Sequence, residues 1–229
     1  MKTTTRGAIT SRIRKTIKAE TQDAFITDRY IFSIVEKHAA WMLRREDNTM
    51  KIIRMINSFN TLDYVPLKEV DKIAASCLGI KSNCIIKRTI DPIPDLYEGY
   101  FGPLIRTVGS IDGSEQVYPT TALQYTKLAN SKNFKYNKTK YYWISEGYIY
   151  FPNIDWDAVT VDGIFKDDIS DYKCEDCKGD TACLAAQDRQ FNVPQYLLGE
   201  LENFVRQEIL ALYQTPADPT NDKQNLIRG

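Results

Sequence analysis

The sequence predicts an α+β fold with three parts: a helical bundle made of N-terminal helices and one C-terminal helix, an inserted antiparallel β domain, and an extended C-terminal arm. Three observations support this fold class. Apolar residues recur at helical spacing near both ends of the chain, their period falls to two in the middle, and the last residues are polar and contain prolines. We assign 1–60 to the first helices, 61–170 to the β domain, 171–213 to a cysteine-containing loop with the last helix, and 214–229 to the arm.

Two helices precede the β domain, and a shorter third helix is predicted over 50–58. The segment 1–19 is basic and has isoleucines at every fourth position, which indicates a short helix with a narrow apolar stripe. The stripe consists of Ile9, Ile13 and Ile17. The second helix begins at Thr27 and Asp28 and ends near Arg44 and Arg45, residue types that favour a helix start and a helix C-terminus. Its wide apolar face consists of Tyr30, Ile31, Ile34, Val35, His38, Trp41 and Met42.

The β domain contains four recognisable strand segments. Residues 64–70 predict an edge strand because they include Pro66, and residues 84–89 predict a second strand. Residues 141–151 form the clearest hairpin, with two aromatic strands around a turn in which Gly147 can adopt positive φ. A last strand over 158–165 leads back to helix.

The C-terminal helix is predicted from Asn192 to Tyr213, with Asn192 as its cap, Gln195 three residues later and Pro194 in the first turn. Its apolar face needs cover from the early helices, so we expect Trp41 and Phe204 to be buried together. That face consists of Leu197, Leu201, Phe204, Val205, Ile209 and Leu212. The following arm is too polar to build a core, and we expect it to become ordered on a partner or stay mobile.

Composition limits the classes of function. Lys plus Arg equals Asp plus Glu, at 30 each, so the whole chain has no net attraction to nucleic acid or membrane. The longest apolar runs fall far short of the roughly 20 residues that span a bilayer, and the first residues lack an apolar signal region. We therefore expect an intracellular product with no membrane partner. The five cysteines are expected to be reduced thiols.

No pattern in the chain predicts a catalytic centre, and we expect neither an enzyme nor a cofactor. The single histidine, His38, lies on an apolar helix face and is interpreted as a core or interface residue. Two pairs of acidic residues allow two interpretations: they are turn and cap residues, or they bind a cation. These groups are Asp155 with Asp157, and Asp167 with Asp168.

A cysteine cluster is the one pattern typical of a metal site. Cys174, Cys177 and Cys183 can supply three zinc ligands, with Cys77 or Cys84 as a fourth ligand across the fold. The other interpretation is a loop with free thiols, because the surrounding acidic residues raise thiol pKa values and no second C-x-x-C pair is present. A zinc loop combined with the basic N-terminal segment would make a nucleic-acid-associated module, which is the main alternative function.

Several segments together carry a resemblance to a known family. One of them is the motif Glu98-Gly99-Tyr100-Phe101-Gly102-Pro103, and the full set spans 79–89, 98–106, 110–114, 135–143, 150–159, 193–196 and 216–225. As a set they resemble a virion structural protein of crAss-like bacteriophages, a ring protein of the head-to-tail connector. The resemblance covers most of the chain from about residue 60.

The resemblance implies a helical-bundle adaptor core that packs side by side in a ring of about twelve copies beneath the portal. The implied partners are further copies of the chain, the phage portal protein and other neck or tail ring proteins, with genome DNA only as non-specific channel contents. The implied location is the neck or tail connector of the virion, after synthesis in the host cytoplasm. The arm would bind the portal through Thr215, Pro216, Asp218, Pro219, Asn221, Asp222, Lys223, Asn225, Leu226 and Ile227.

A channel through which the genome passes requires weak, sequence-independent contacts with DNA. On this interpretation the basic residues near the N-terminus contact a protein neighbour or form a diffuse positive surface. These residues are Arg12, Arg14, Lys15 and Lys18.

Overall fold

Seven strands and four helices make up the part of the chain that the computed structural model describes, which comprises residues 4–20, 26–49, 57–71, 85–131, 138–167, 169 and 188–213. The strands are β1 (Asn60–Glu69), β2 (Ile86–Thr89), β3 (Ile105–Ser110), β4 (Gln116–Pro119), β5 (Lys140–Ser145), β6 (Tyr148–Pro152) and β7 (Ala158–Gly163). The helices are α1 (Arg6–Glu20), α2 (Asp28–Asn48), α3 (Ala122–Ala129) and α4 (Gln195–Tyr213).

The strands form a closed barrel in the order β1-β2-β6-β5-β4-β3-β7. The barrel closes where the first strand pairs with the last, with Thr61 opposite Asp162 and Val65 opposite Val159. Six of the seven pairings are antiparallel, and the pairing of β4 with β5 is parallel. The parallel pair is joined through α3, which is the kind of crossover that parallel neighbours need.

The predicted fold class, a helical-bundle adaptor core with an inserted antiparallel β domain, is therefore wrong. The closed barrel is a complete body with its own interior, and one of the four helices belongs to a crossover between its strands. A period of two in the sequence shows that a strand buries one face, but it does not show which strands pair. Closure depends on pairings between segments far apart in the chain, so it could not be inferred from local patterns.

Strand β1 lies inside the closed sheet and is not the predicted edge strand. It pairs with β7 up to Pro66 and with β2 from Leu67 onward. Because proline has no N–H to donate, it fits the position where one ladder ends and the other begins. The other prolines of the barrel strands, Pro119 and Pro152, stand at the last positions of β4 and β6.

Apolar side chains from six of the seven strands, all but β2, fill the interior of the barrel. Residues that follow or connect the strands complete it. Burial raises the pKa of Tyr142 to about 12, since ionisation would place a charge among these side chains. The fully enclosed members are Leu62, Val65, Val108, Val117, Ile149, Phe151, Ile154, Val159, Val161 and Phe165.

The predicted aromatic hairpin is confirmed. Strands β5 and β6 are joined by Glu146 and Gly147, whose φ angles are 51° and 79°. Two consecutive residues with positive φ match the twist of an antiparallel pair. The strand predicted over 158–165 is also confirmed as β7, which lies between β1 and β3.

Helices α1, α2 and α4 share a second apolar core beside the barrel. The predicted isoleucine stripe of α1 is buried in it, and Thr27 caps α2 by accepting a hydrogen bond from the Tyr30 N–H at 3.3 Å. The expected packing of α2 against α4 is confirmed, since both supply residues to this core. It continues toward the barrel through Tyr97, Leu104, Ile164, Phe191 and Val193.

Two details of the predicted helix pair are wrong. Trp41 is 50% exposed, and Phe204 is only partly buried, because the two rings pack edge to face at the margin of the pair with centroids 5.6 Å apart. Helix α4 begins at Gln195, so Asn192 lies before the cap position. The Asn192 amide instead donates to the carbonyls of Phe165 and Asp167 at 3.0 and 3.3 Å, which ties the start of α4 to the end of the barrel chain.

Some predicted elements lie outside the described residues. Only residues 57 and 58 of the predicted third helix are described. In the strand predicted over 84–89, residue 84 is outside the described residues.

The interior of the barrel provides a direct test of the fold. Phe151 is fully buried and packs against Tyr142 with ring centroids 6.3 Å apart. We expect Phe151→Ala to lower the free energy of unfolding by about 3–5 kcal/mol, measured by urea denaturation, because it leaves a cavity. The matched control Tyr64→Ala removes an exposed ring from β1 and should change stability by less than about 0.5 kcal/mol. Equal effects of the two variants would contradict the closed barrel.

Candidate assembly surface

Two of the carboxylates that the sequence offered as cation ligands, those of Asp157 and Asp167, pair with basic side chains. The Lys87 ammonium donates to the carbonyls of Asp155 and Trp156, both at 2.9 Å, and to the Asp157 carboxylate at 3.2 Å. Lys87 therefore supplies the positive charge at this turn. Asp167 accepts from Arg6 at 2.5 Å, and Asp168 lies outside the described residues. No group of three or more His, Cys, Asp or Glu side chains suited to a metal ion occurs among the described residues.

Two sets of predicted site residues cannot be placed. The possible zinc ligands Cys174, Cys177 and Cys183, with Cys77 and Cys84, lie outside the described residues, and so does the whole arm from 214 to 229. Both the zinc loop and the partner-binding arm stay predictions.

His38 has a structural position between α2 and α4. Its Nε2 atom lies 2.6 Å from a carboxylate oxygen of Glu208, and its ring stacks on Phe204 at a centroid distance of 5.8 Å. The Lys37 ammonium donates to the same carboxylate at 2.8 Å. These contacts agree with the interpretation of His38 as an interface residue within the chain.

Two of the basic residues of α1 that the sequence singled out pair with acidic residues of the same chain. Arg12 pairs with Glu202 of α4 at 2.9 Å, and Arg14 pairs with Asp28 of α2 at 2.5 Å. Lys15 is exposed, and the side chain of Lys18 is outside the described part. Two of these four charges thus have carboxylate partners within the chain, which reduces the net positive charge of this surface.

Four aromatic side chains of the helix pair and of the loop before β3 are exposed. We call this set the aromatic surface. Its members are Trp41 and Tyr196, on α2 and α4, and Tyr100 and Phe101, in the loop that precedes β3. Phe101 is 72% exposed and packs edge to face on Tyr100 with centroids 5.0 Å apart. Large exposed aromatic residues are enriched at protein interfaces.

Charged residues join the helical members of the aromatic surface. The Arg45 guanidinium lies over the Trp41 ring at 5.2 Å and makes two parallel hydrogen bonds to Glu200, at 2.7 and 2.8 Å. The Tyr196 hydroxyl donates to the buried Glu46 carboxylate at 3.0 Å. Hydrogen bonds from Arg45 hold the pKa of Glu200 below its usual value. Hydrogen bonds from Lys37, and to a smaller extent from His38, lower the pKa of Glu208.

The loop that carries Tyr100 and Phe101 is held by a buried carboxylate. Asp47, in the last turn of α2, accepts from the Tyr100 N–H at 2.6 Å and from the Phe101 N–H at 3.4 Å. Within the loop, the Gly99 N–H donates to the Gly102 carbonyl at 2.7 Å. A Cβ atom on Gly99 would overlap the Asp47 carboxylate and lie 2.7 Å from Leu104, so only glycine permits this approach.

Sequence reasoning missed this surface. It placed Trp41 in the core and used the 98–103 motif only for the resemblance. The two glycines on either side of an aromatic pair were an available signal for a tight, exposed loop. The position of this loop beside α2 depends on the hydrogen bonds to Asp47, which the sequence does not predict.

Removing the Asp47 carboxylate should destabilise the fold. Asp47→Ala leaves two backbone N–H groups of the loop without their acceptor, and we expect a loss of about 1–3 kcal/mol in the free energy of unfolding. Asp91→Ala, at an exposed position, is the matched control and should change stability by less than about 0.5 kcal/mol. Urea denaturation measures both, and a neutral effect of Asp47→Ala would show that the loop does not depend on it.

The lowered pKa values of Glu200 and Glu208 predict a pH dependence. A carboxyl whose folded pKa is lowered stabilises the fold above its ordinary pKa, and that contribution is lost as pH falls through the folded value. We expect the double variant Glu200→Gln, Glu208→Gln to be less stable than the wild type at neutral pH. Because both groups are partly exposed, the difference should be at most about 1–2 kcal/mol. The difference in stability should shrink as pH falls below the ordinary carboxyl pKa of about 4.3 in urea unfolding, and parallel stability curves would refute the assignment.

None of the described helices is long and apolar enough to cross a bilayer.

Comparison with known proteins identifies the family of the chain. A search of curated proteins finds no match to this chain. A family model described as phage tail ring protein 2, of crAss-like phages, matches residues 8–226 and thus includes both the barrel and the helix pair with its aromatic surface. The chain therefore belongs to the phage tail ring protein 2 family.

Proposed function

We propose that this protein forms a homo-oligomeric ring in the head-to-tail connector of the virion, docks on the portal and extends the DNA channel toward the tail. The observation that carries the proposal is the match to a phage tail ring protein family over residues 8–226. Family membership supports a structural ring protein of the virion that assembles with other tail or neck proteins. The portal as partner, the connector position and a ring of about twelve copies are the finer parts of the proposal.

The fold supports an assembling subunit in two ways. A closed barrel has no unpaired strand edge, so copies of it do not join by adding strand to strand. Contacts that copies make through the barrel would then use side-chain surfaces, and aromatic residues of the kind exposed at Trp41 and Phe101 are enriched at interface centres. A subunit that uses side-chain contacts fits the repeated, identical neighbours of a ring.

The mass of the purified protein tests the proposal. We expect native mass spectrometry to detect a closed ring, either for the chain alone or after addition of the portal protein. An electron microscopy image of the assembled neck would then give the copy number and the neighbour on each side. A chain that stays monomeric with and without the portal protein would contradict the proposed ring.

We propose that the arm, residues 214–229, contributes affinity for the portal and little to the stability of the subunit. It is polar and interrupted by Pro216 and Pro219, so it has few apolar groups to bury in its own chain. A variant that ends at Tyr213 should melt at nearly the same temperature as the wild type and bind the portal more weakly. If that variant unfolds instead, the arm belongs to the core of the subunit.

A channel protein should bind duplex DNA weakly and without sequence preference. Arg12 and Arg14 already pair with Glu202 and Asp28, which favours the ring over the alternative of a nucleic-acid-associated module. We expect a dissociation constant no tighter than about 10⁻⁴ to 10⁻⁶ M, weakening as salt rises, in fluorescence anisotropy with duplex DNA. Nanomolar binding to a defined sequence at physiological salt would favour the nucleic-acid module.

A further inference from the structure

We propose that the connection between β6 and β7 forms a binding site for a primary ammonium ion, and that the Lys87 side chain fills this site in the wild-type protein. The site consists of the carbonyl oxygens of Asp155 and Trp156 and the carboxylate of Asp157, all of which accept hydrogen bonds from the Lys87 ammonium. It is a property of one subunit and does not depend on the proposed ring.

The position of Lys87 in the sheet directs its side chain into the barrel. Lys87 pairs in register with Phe151 of β6, and Thr89 pairs in register with Leu67 of β1. Register partners in a sheet face the same side, and Phe151 and Leu67 both belong to the interior of the barrel. Strand β2 therefore points Lys87 and Thr89 inward, which explains why this strand adds no apolar side chain to the interior.

The segment 153–157 connects β6 to β7 by crossing the two strands between them. In the barrel order these strands are β2 and β1. At the start of the crossing the Asn153 N–H donates to the Ile85 carbonyl, just before β2, at 2.9 Å. At its end the Asp157 carbonyl accepts from the Leu67 N–H of β1 at 2.8 Å. These two hydrogen bonds fix both ends of the segment, so its carbonyl oxygens lie beside the inward side chains of β2.

The number of hydrogen-bond acceptors in the site fits a primary ammonium ion. Such an ion has three N–H donors, and the site offers three acceptors, at 2.9, 2.9 and 3.2 Å from the Lys87 nitrogen. A divalent metal ion such as Ca²⁺ takes about six or more oxygen ligands at shorter distances. Because the Lys87 side chain is only 11% exposed, its ammonium depends on these three acceptors in place of water.

The two carbonyl oxygens contribute more to the site than the carboxylate does. The Asp157 side chain is 97% exposed, so water screens its attraction to the ammonium. The carbonyls of Asp155 and Trp156 instead accept at 2.9 Å from a nitrogen at the end of a nearly buried side chain. Removing the ammonium should therefore destabilise the fold more than removing the charge of the carboxylate.

Urea denaturation of three variants tests these contacts. Lys87→Ala leaves both carbonyls without their donor, and we expect the equilibrium constant of unfolding to rise about 5- to 150-fold. Asp157→Asn should raise that constant by less than about fivefold. Lys68→Ala removes an exposed lysine from neighbouring β1 and, as the matched control, should change the constant by less than about twofold. An effect of Lys87→Ala no larger than that of either other variant overturns the inference.

Added propylammonium tests the class of ligand, because it replaces the atoms that Lys87→Ala removes. Propylammonium chloride should raise the urea midpoint of Lys87→Ala relative to that of the wild type, whose site is already filled. Tetramethylammonium chloride at the same concentration carries the same charge without an N–H donor, and should produce no such difference. A Lys87→Ala chain that folds only when propylammonium is present also supports the site. Equal rescue by the two salts, or rescue by neither, overturns the inference.

Discussion

The pairing of β7 with both β1 and β3 is the constraint on which the rest of the structure depends. With β1 it closes the barrel, and the chain that leaves it passes directly into the core shared by the helices. There Ile164 donates to the Leu104 carbonyl and accepts from the Tyr97 N–H, at 2.9 and 3.0 Å. Gly163 permits this approach, since a Cβ atom there would lie 2.8 Å from Leu96 and 3.1 Å from the Leu104 carbonyl. One strand thus connects the barrel, the helices and the base of the 98–103 loop.

That connection explains how a loop of the barrel chain becomes part of a helical surface. The loop leaves and re-enters beside Tyr97 and Leu104, both buried in the helical core, and Asp47 of α2 holds its tip. Burial raises the pKa of Tyr97 well above its usual range, because the helices and the barrel exclude water there. The aromatic surface therefore draws on both bodies.

Electrostatic pairing within the chain complements this apolar arrangement. Arginines of α1 and α2 bind acidic residues of α2 and α4, and Lys87 satisfies the acidic turn before β7. Pairs this exposed add little stability, but they leave α1 less suited to bind a polyanion than its sequence indicated.

Local periodicity by itself determined the positions of α1, α2, α4, the β5–β6 hairpin and β7, because a buried face imposes its own spacing on apolar residues such as Ile9, Ile13 and Ile17. The specific segments of the sequence also identified a crAss-like phage ring protein, which the family match confirms. Tertiary structure decided the closed barrel, the strand order and the parallel β4–β5 pair, since these depend on which distant segments meet. It also decided that Trp41 is half exposed: helical spacing marks a face as apolar, but only the partner helix decides how much of that face it covers.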